Sequence, residues 1–117
     1  LPKFNNNGKM VFNWLKRTRD GDKYPKIHPT QKPINVLANL IRIFTDEGDV
    51  VIDPCAGSGS SLVAAQELKR RAFGFEIKKP FFKCAENWIN EEFQKLSDIE
   101  EFGFAKTLIN KTTQTLF

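Results

Sequence analysis

The sequence predicts an α/β fold with two parallel strands joined by a helix, and three stretches support this prediction. The apolar run Val50–Ile52 suits a short strand that is buried on both faces. A turn with two glycines follows, and then residues 60–70 form a helical pattern. Ala72–Ile77 is typical of a second buried strand. A strand, a short crossover helix and another strand give a parallel pair with a right-handed connection.

Further elements are predicted on either side of this unit. The run Met10–Leu15 has the β-branched and aromatic composition of a strand. Pro33 is placed to begin a helix whose apolar face repeats at helical spacing and which Gly48 ends. Another helix begins at Pro80, and Ser97 with Glu100 predicts a capping box for a last helix.

Composition limits the class of protein. The 117 residues are enough for one domain, with 40% hydrophobic and 27% charged residues. No apolar run is long enough to span a bilayer and no signal peptide is recognised. Two cysteines do not suggest a disulfide scaffold, so we expect reduced thiols and a cytoplasmic location. A single histidine and the lack of a Cys-x-x-Cys pair argue against a zinc site.

Charge is concentrated at the start of the chain. Residues 1–32 carry eight lysines or arginines and two aspartates, a net charge of +6, whereas the remainder carries −2. A basic segment beside a nearly neutral body suits DNA as a partner. The alternative interpretation is a solvated loop. The candidate DNA contacts are Lys16, Arg17, Arg19, Lys23 and Lys26.

The glycine turn predicts a nucleotide-type site, because a helix start offers free N–H groups and a partial positive charge. It is not a phosphate-binding P-loop, since Ser60 follows Gly59 where that motif needs a lysine. It is not a full dinucleotide fingerprint either, since the third glycine position is Leu62. Asp53 at the strand end would repel a pyrophosphate but attract an ammonium or sulfonium group.

Glu76 narrows the choice of ligand. It lies nineteen positions after Gly57, where a carboxylate of such a unit accepts hydrogen bonds from two ribose hydroxyls. A solvated strand end is the alternative interpretation. A nucleoside with a positive charge near Asp53 and a carboxylate near the helix start describes S-adenosylmethionine.

Three motifs in series carry a family resemblance. The order HPTQKP, DPCAGSGSS and GFE over about residues 28–90 resembles the beta-class DNA amino-methyltransferases, which modify adenine N6 or cytosine N4. In that family the catalytic and target-recognition blocks precede the cofactor-binding block. The resemblance implies an incomplete Rossmann-like, S-adenosylmethionine-dependent methyltransferase fold of the restriction-modification type. It divides the chain into a basic stub (1–27), a cofactor-binding region (28–96) and a C-terminal helix and tail (97–117).

The resemblance also implies a cofactor site. Asp53 and the glycine turn would line the methionine part, Glu76 would hold the ribose, and Ile77 would border the adenine. The HPTQKP segment would close over the methionine end. The implied cofactor-binding residues are Thr30, Gln31, Lys32, Asp53, Pro54, Cys55, Gly57, Ser58, Gly59, Ser60, Glu76 and Ile77.

One motif of the family is missing. Its catalytic tetrapeptide, Asp/Ser-Pro-Pro-aromatic, does not occur, because residues 53–56 lack the second proline and the aromatic. We therefore expect no catalytic residue in this chain and no activity from it alone. A missing segment, a second subunit or a homodimer would complete the enzyme. The alternatives are a non-catalytic subunit of a split methyltransferase, a DNA-binding module, and a methyltransferase with another substrate.

Four residues have competing interpretations. Cys55 follows a proline, but its place in the turn favours a small buried thiol over a nucleophile. His28 is expected to be a hydrogen-bonded structural residue of its loop rather than a general base. Trp14 and Trp88 are expected to be packing groups, with base stacking as the alternative for Trp14.

Overall fold

The computed structural model describes residues 4–16 and 19–97, and the helix predicted from Ser97 onward lies outside that part. Two parallel strands are joined by a helix, so the predicted α/β fold with a parallel pair is confirmed. No helix in the described part is long and apolar enough to cross a membrane. The elements are α1 (Ile34–Phe44), β1 (Val50–Asp53), α2 (Ser60–Glu67), β2 (Arg71–Gly74) and α3 (Lys79–Ser97).

Helix α2 forms the centre of the core. Its residues Leu62–Ala65 are fully buried, which explains why it is apolar on all sides over that turn. Helix α1 packs on it through Ile34 and Ile41, and α3 packs on it through Ala85 and Ile89. The helix predicted from Pro80 is confirmed as α3, and its apolar side is the buried one.

The sheet is covered on one face only. Val51 pairs with Ala72 and Asp53 with Gly74, and a Cβ on Gly74 would lie 2.6 Å from Leu62 Cδ1. These residues therefore face α2. The opposite face carries Ile52, which is 63% exposed. The prediction that β1 is buried on both faces is wrong, because the described helices pack on the α2 side.

Three elements are shorter than predicted. Helix α1 ends at Phe44 rather than next to Gly48, because Thr45 has an extended backbone. Helix α2 ends at Glu67 rather than residue 70, because Lys69 adopts a left-handed φ of 61° that the helix cannot continue through. The Arg70 guanidinium instead donates to the carbonyl of Thr45 at 2.6 Å. Strand β2 ends at Gly74 rather than Ile77, because its partner β1 ends at Asp53.

The prediction of a strand at Met10–Leu15 is wrong, because the structure has no strand within residues 4–16. β-Propensity reflects packing against neighbouring strands, and this segment has none to pair with here. The rings of Phe12 and Trp14 contact each other at 6.3 Å between centroids and stay exposed. Trp14 is 69% exposed, so its predicted packing role is also wrong, whereas Trp88 is buried as predicted.

The segment before His28 contacts the rest of the described chain at several points, and Asp20 and Tyr24 make two of these contacts. Pro33 caps α1 without a side-chain hydrogen bond, and Asp20 supplies the missing acceptor. Its Oδ2 accepts from the Ile34 N–H at 2.6 Å. The Tyr24 hydroxyl donates to the Glu67 carboxylate at 2.5 Å. The domain boundary at residue 28 stays a prediction.

Candidate cofactor-binding site

The turn after β1 has the backbone conformation that its glycines predicted. Gly57 and Gly59 have φ angles of 56° and 83°, which side chains rarely tolerate. The Gly59 N–H donates to the Ala56 carbonyl at 2.8 Å, which closes the turn. Helix α2 begins at the next residue, and Gly59 provides no side-chain cap. The first N–H groups of α2 are therefore adjacent to the turn.

Asp53 connects the end of β1 to the start of α2. Its Oδ1 accepts from the Cys55 N–H at 2.9 Å, and its Oδ2 accepts a short hydrogen bond from the Ser61 hydroxyl. A carboxylate has about four lone-pair sites, so each oxygen retains acceptor capacity. The chain thus holds a negative charge at the carboxyl end of the sheet, where ligands of α/β folds bind.

Glu76 is fixed in a similar way by two backbone amides. Its Oε2 accepts from the Gly57 N–H at 3.0 Å, and its Oε1 accepts from the Lys78 N–H at 2.8 Å. The predicted association of Glu76 with the glycine turn is therefore a direct contact in the structure. Each oxygen has one lone pair left for a ligand.

The His28–Pro33 loop forms the facing wall. His28 Nδ1 accepts from the Thr30 N–H at 3.2 Å, and its ring lies 4.2 Å from the Phe81 ring. The prediction that His28 is hydrogen-bonded within its loop is thus confirmed. The Gln31 side chain accepts from the Ile27 N–H at 2.9 Å and donates to the Pro25 carbonyl at 2.7 Å. Its amide group therefore stiffens the loop.

Two cavities meet at this turn. A polar cavity of about 430 Å³ lies between the turn and the His28–Pro33 loop, and an apolar cavity of about 710 Å³ lies beside Ile77. Both have the volume of small-molecule sites. Cys55 and Glu76 line both cavities, so the two spaces adjoin. The predicted residues on the polar cavity are Thr30, Gln31, Lys32, Asp53, Cys55, Gly57, Ser58, Ser60 and Glu76.

The remaining predicted residues lie elsewhere. Pro54 and Ile77 line the apolar cavity, and Ile77 is 93% exposed. Gly59 lines neither cavity. A Cβ on Gly59 would lie 2.9 Å from Ile89 Cδ1 on α3, so the structure gives this glycine a role in packing the turn.

Cys55 differs from its prediction. It is exposed rather than buried, because the turn opens onto both cavities, and the other cysteine, Cys84, is also an exposed free thiol. No cluster of three potential metal ligands occurs in the part of the chain that the structure describes.

The described candidate DNA contacts are not part of either cavity wall. Lys16, Arg19, Lys23 and Lys26 are exposed and line neither cavity, and Arg17 lies outside the described residues. Lys23 is partly engaged, because its ammonium lies 3.7 Å from the Glu67 carboxylate. A hydrogen bond with Tyr24 is the main cause that raises the pKa of Lys23.

Several wall residues were not predicted. Ser61, Lys78 and Phe81 line the polar cavity, and Phe75 and Phe82 line the apolar one. Lys78 lies just before α3, and Phe81 lies in its first turn. His28 is distant in the sequence, so only the fold brings it into the same cavity wall. Ser61 could have been found from sequence, since a hydroxyl on the first turn after a glycine turn faces the strand end.

Comparison with known proteins identifies the family. The family model N6_N4_Mtase, described as DNA methylase, matches residues 3–87. The chain belongs to this DNA methylase family. It is 34% identical over 92 residues to the Type II methyltransferase M2.LlaDCHI of Lactococcus lactis subsp. cremoris. The matched stretch covers 78% of this chain and 34% of that protein.

Two solved structures are similar to this DNA methylase fold. The crystal structure of the M1.HpyAVI–SAM complex matches with a TM-score of 0.60 and 30% identity, over 75% of this chain and 45% of that chain. A putative DNA modification methylase from Thermus thermophilus, complexed with S-adenosyl-L-methionine, matches with a TM-score of 0.51 and 38% identity. That match covers 52% of this chain and 26% of the other.

The chain is short beside these DNA methylases. It spans about a third or less of the length of the curated relatives that it matches.

Proposed function

We propose that this chain is the S-adenosylmethionine-binding part of a DNA amino-methyltransferase that acts on adenine N6 or cytosine N4. One observation carries the proposal: a polar cavity and an apolar cavity meet at Glu76. A ligand that joins an apolar base to a charged tail through a ribose fits this arrangement. Two solved relatives of similar fold are described as complexes with this cofactor.

The charges of the polar cavity match the methionine part of the cofactor. Asp53 would face the sulfonium or the ammonium group, since it retains acceptor sites toward the cavity. Lys32, on the facing loop, would attract the carboxylate. Opposite charges on the cavity wall would therefore orient the cofactor.

The ribose and the base would lie on the other side of Glu76. The two Glu76 oxygens each have one lone pair left, which suits two hydroxyl donors. Ile77, Phe75 and Phe82 would cover the faces of the adenine. Burial of the exposed Ile77 side chain would contribute roughly 1.5–3 kcal/mol if complete.

The bound cofactor would supply a methyl group for direct transfer to an exocyclic amine. The residues of this chain would contribute by positioning and by electrostatic complementarity. The groups that hold the target amine belong to the tetrapeptide that this chain lacks. We therefore propose that another segment or a second subunit provides them, and that DNA is the substrate of the assembled enzyme.

Calorimetric titration with S-adenosylmethionine tests the cofactor site. Glu76→Gln removes the charge and replaces one acceptor with a donor that would face a backbone N–H, so we expect at least about tenfold weaker binding. Glu47→Gln, an exposed loop carboxylate, is the matched control and should bind like the parent. If Glu76→Gln and Asp53→Asn both bind like the parent, the proposed site is wrong.

A second ligand separates the role of Asp53 from a general loss of structure. S-adenosylhomocysteine has a neutral sulfur, whereas the sulfur of S-adenosylmethionine carries a positive charge. If Asp53 faces the sulfur, Asp53→Asn should weaken S-adenosylmethionine binding more than S-adenosylhomocysteine binding. An equal loss for both ligands would assign Asp53 to the ammonium group or to turn geometry instead.

The activity itself requires a separate assay. We expect no transfer of labelled methyl groups to DNA by this chain alone, because it lacks the tetrapeptide. Methylation by the purified chain would contradict that part of the proposal. A subunit of a split methyltransferase is the second candidate function, since the tetrapeptide does not occur in this sequence.

We also propose a cytoplasmic location for the protein. Both cysteines of the chain are free thiols, which suits a reducing compartment.

A further inference from the structure

The facing wall of the polar cavity belongs to a longer segment, residues 20–33, which we call the strap. The structure has no helix or strand within the strap, so its shape depends on the side chains that attach it to the rest of the chain. At its first residue, the Asp20 carboxylate accepts from the Ile34 and Asn35 N–H groups of α1 at 2.6 and 3.1 Å. Near its other end, Thr30–Lys32 line the polar cavity.

Tyr24 attaches the middle of the strap to the core. Its hydroxyl donates to the Glu67 carboxylate at 2.5 Å, and its ring packs edge-on against the buried Trp88 ring, with 6.2 Å between the centroids. The Lys23 ammonium lies 3.7 Å from the same carboxylate and 4.7 Å from the centre of the Tyr24 ring. Tyr24 and Glu67 are both half-buried, so the hydrogen bond between them is partly shielded from water.

The Tyr24–Glu67 bond acts on the cavity from outside its walls. Neither residue is part of a cavity wall. Glu67 is the last residue of α2, whereas Ser60, the first residue of the same helix, lines the polar cavity. The rise of an α-helix separates these two residues by roughly 10 Å along the axis. The bond therefore joins the far end of α2 to the segment that shares a cavity with its first residue.

Gln31 connects Tyr24 to the cavity wall. Pro25 follows Tyr24 directly, and its carbonyl accepts from the Gln31 side chain at 2.7 Å. The same side chain accepts from the Ile27 N–H at 2.9 Å. These bonds connect the part of the strap that follows Tyr24, so a displacement of Tyr24 would also displace Lys32.

We propose that Tyr24 is a positioning residue for the cofactor: its hydrogen bond to Glu67 holds the strap where Thr30 and Lys32 meet the amino-acid tail of the ligand. The inference rests on the proposed function, in which that tail lies in the polar cavity. No residue of the strap lines the apolar cavity, where the base would lie. Tyr24 should therefore affect binding of the tail and leave binding of the base unchanged, which a purely stabilising side chain would not do.

Two ligands that differ in the tail test the role of Tyr24. S-adenosylhomocysteine and 5′-methylthioadenosine both have a neutral sulfur, and only the first has the amino-acid tail. In calorimetric titrations, Tyr24→Phe should weaken S-adenosylhomocysteine binding by about two- to tenfold, which is the range that the loss of one hydrogen bond allows. The same variant should bind 5′-methylthioadenosine like the parent.

Variants of Ile41 and Glu67 separate positioning from stability. Ile41→Val removes a buried methyl group on α1 and lowers the free energy of unfolding, but it should leave both affinities unchanged. Glu67→Gln keeps an oxygen that accepts from the Tyr24 hydroxyl, so it should bind S-adenosylhomocysteine within about twofold of the parent. Glu67→Leu has no acceptor and should lose affinity for that ligand, and the double variant with Tyr24→Phe should lose no more than Glu67→Leu alone.

Hydrogen exchange measures the strap without a ligand. In Tyr24→Phe the Ile27 and Thr30 amides should exchange faster than in the parent, because their hydrogen bonds lie within the strap. The Ile41 amide in α1 is the control and should exchange at the parent rate.

Each outcome has a defined meaning. Unchanged exchange in the strap, or an equal loss of affinity for both ligands, overturns the proposal. A parent chain that binds the ligands and a Tyr24→Phe variant that binds them equally well overturn only the role of Tyr24. A parent chain that binds neither S-adenosylmethionine nor these analogues refutes the proposed function, and the role of Tyr24 with it.

Discussion

The two left-handed glycines of the turn permit a quantitative test, because their surroundings differ. A Cβ on Gly57 would meet nothing closer than the Cys55 carbonyl oxygen at 4.0 Å. A Cβ on Gly59 would lie 2.9 Å from Ile89 Cδ1 and 3.4 Å from Ala85 Cβ. The same substitution by alanine therefore adds backbone strain at one position, and strain plus overpacking at the other.

The expected magnitudes follow from these contacts. A left-handed backbone at alanine costs roughly 1–2 kcal/mol at either position. Overpacking in a buried contact adds about 1–3 kcal/mol. We expect Gly57→Ala to lower the free energy of unfolding by about 1–2 kcal/mol and Gly59→Ala by about 2–5 kcal/mol.

A double mutant isolates the steric part. Ile89→Val removes the Cδ1 atom and leaves the nearest contact with Gly59 at 3.3 Å from Cγ1. Alone it should cost about 0.5–1.5 kcal/mol through lost packing. In the Gly59→Ala background, Ile89→Val should lower the free energy of unfolding by less than it does in the parent, because it relieves the overlap with the new Cβ.

Urea unfolding followed by circular dichroism measures all four variants. Equal destabilisation by Gly57→Ala and Gly59→Ala, or strict additivity with Ile89→Val, would refute the steric reasoning. Cofactor titration should show the opposite order, because Gly57 lines the polar cavity and Gly59 does not. Gly57→Ala should therefore weaken S-adenosylmethionine binding more than Gly59→Ala does.

Two further predictions concern the segment before His28. Asp20→Ala should lower the free energy of unfolding by about 1 kcal/mol, because Asp20 accepts from the Ile34 N–H at the start of α1. Thermal unfolding against Asp22→Ala, an exposed control, measures this, and equal melting temperatures would contradict it. Tyr24→Phe should cost about 1 kcal/mol at neutral pH through the lost bond to Glu67. Burial, and then that hydrogen bond, raise the pKa of Tyr24, so its contribution is complete below pH 10 and is lost as the pH rises through the raised value. Tyr24 is the only tyrosine, so tyrosinate absorbance reports the ionisation directly, and an unshifted titration would contradict the prediction.

The parts of the fold that the sequence predicted are those set by local chemistry. The order of strand, glycine turn and helix depends on neighbouring residues, and the left-handed φ angles of Gly57 and Gly59 follow from glycine itself. The number of residues between Gly57 and Glu76 was informative, because a short crossover helix determines where along the chain the second strand ends. The Gly57 N–H bond to Glu76 then follows from topology.

The parts that the sequence did not predict depend on distant partners. Nothing near Asp20 indicates that it caps a helix fourteen positions later. Met10–Leu15 has strand composition, but β-propensity acts only when a neighbouring strand is present. The exposure of Ile52 has the same cause, because an apolar residue in a strand is buried only by what packs on it. The segment Met10–Leu15 and the Ile52 side chain both lie on surfaces that lack a partner among the described residues.

The hydrogen bonds of Glu76 link the two halves of the candidate site. One oxygen is held by Gly57 in the turn and the other by Lys78 just before α3, so the carboxylate is fixed between the two cavities. A preorganised acceptor loses little side-chain entropy on binding, which increases the affinity gained from each hydrogen bond. It also follows that a change at Glu76 should disturb the turn itself. Loss of the carboxylate should therefore weaken contacts with the methionine part of the cofactor as well as with the ribose.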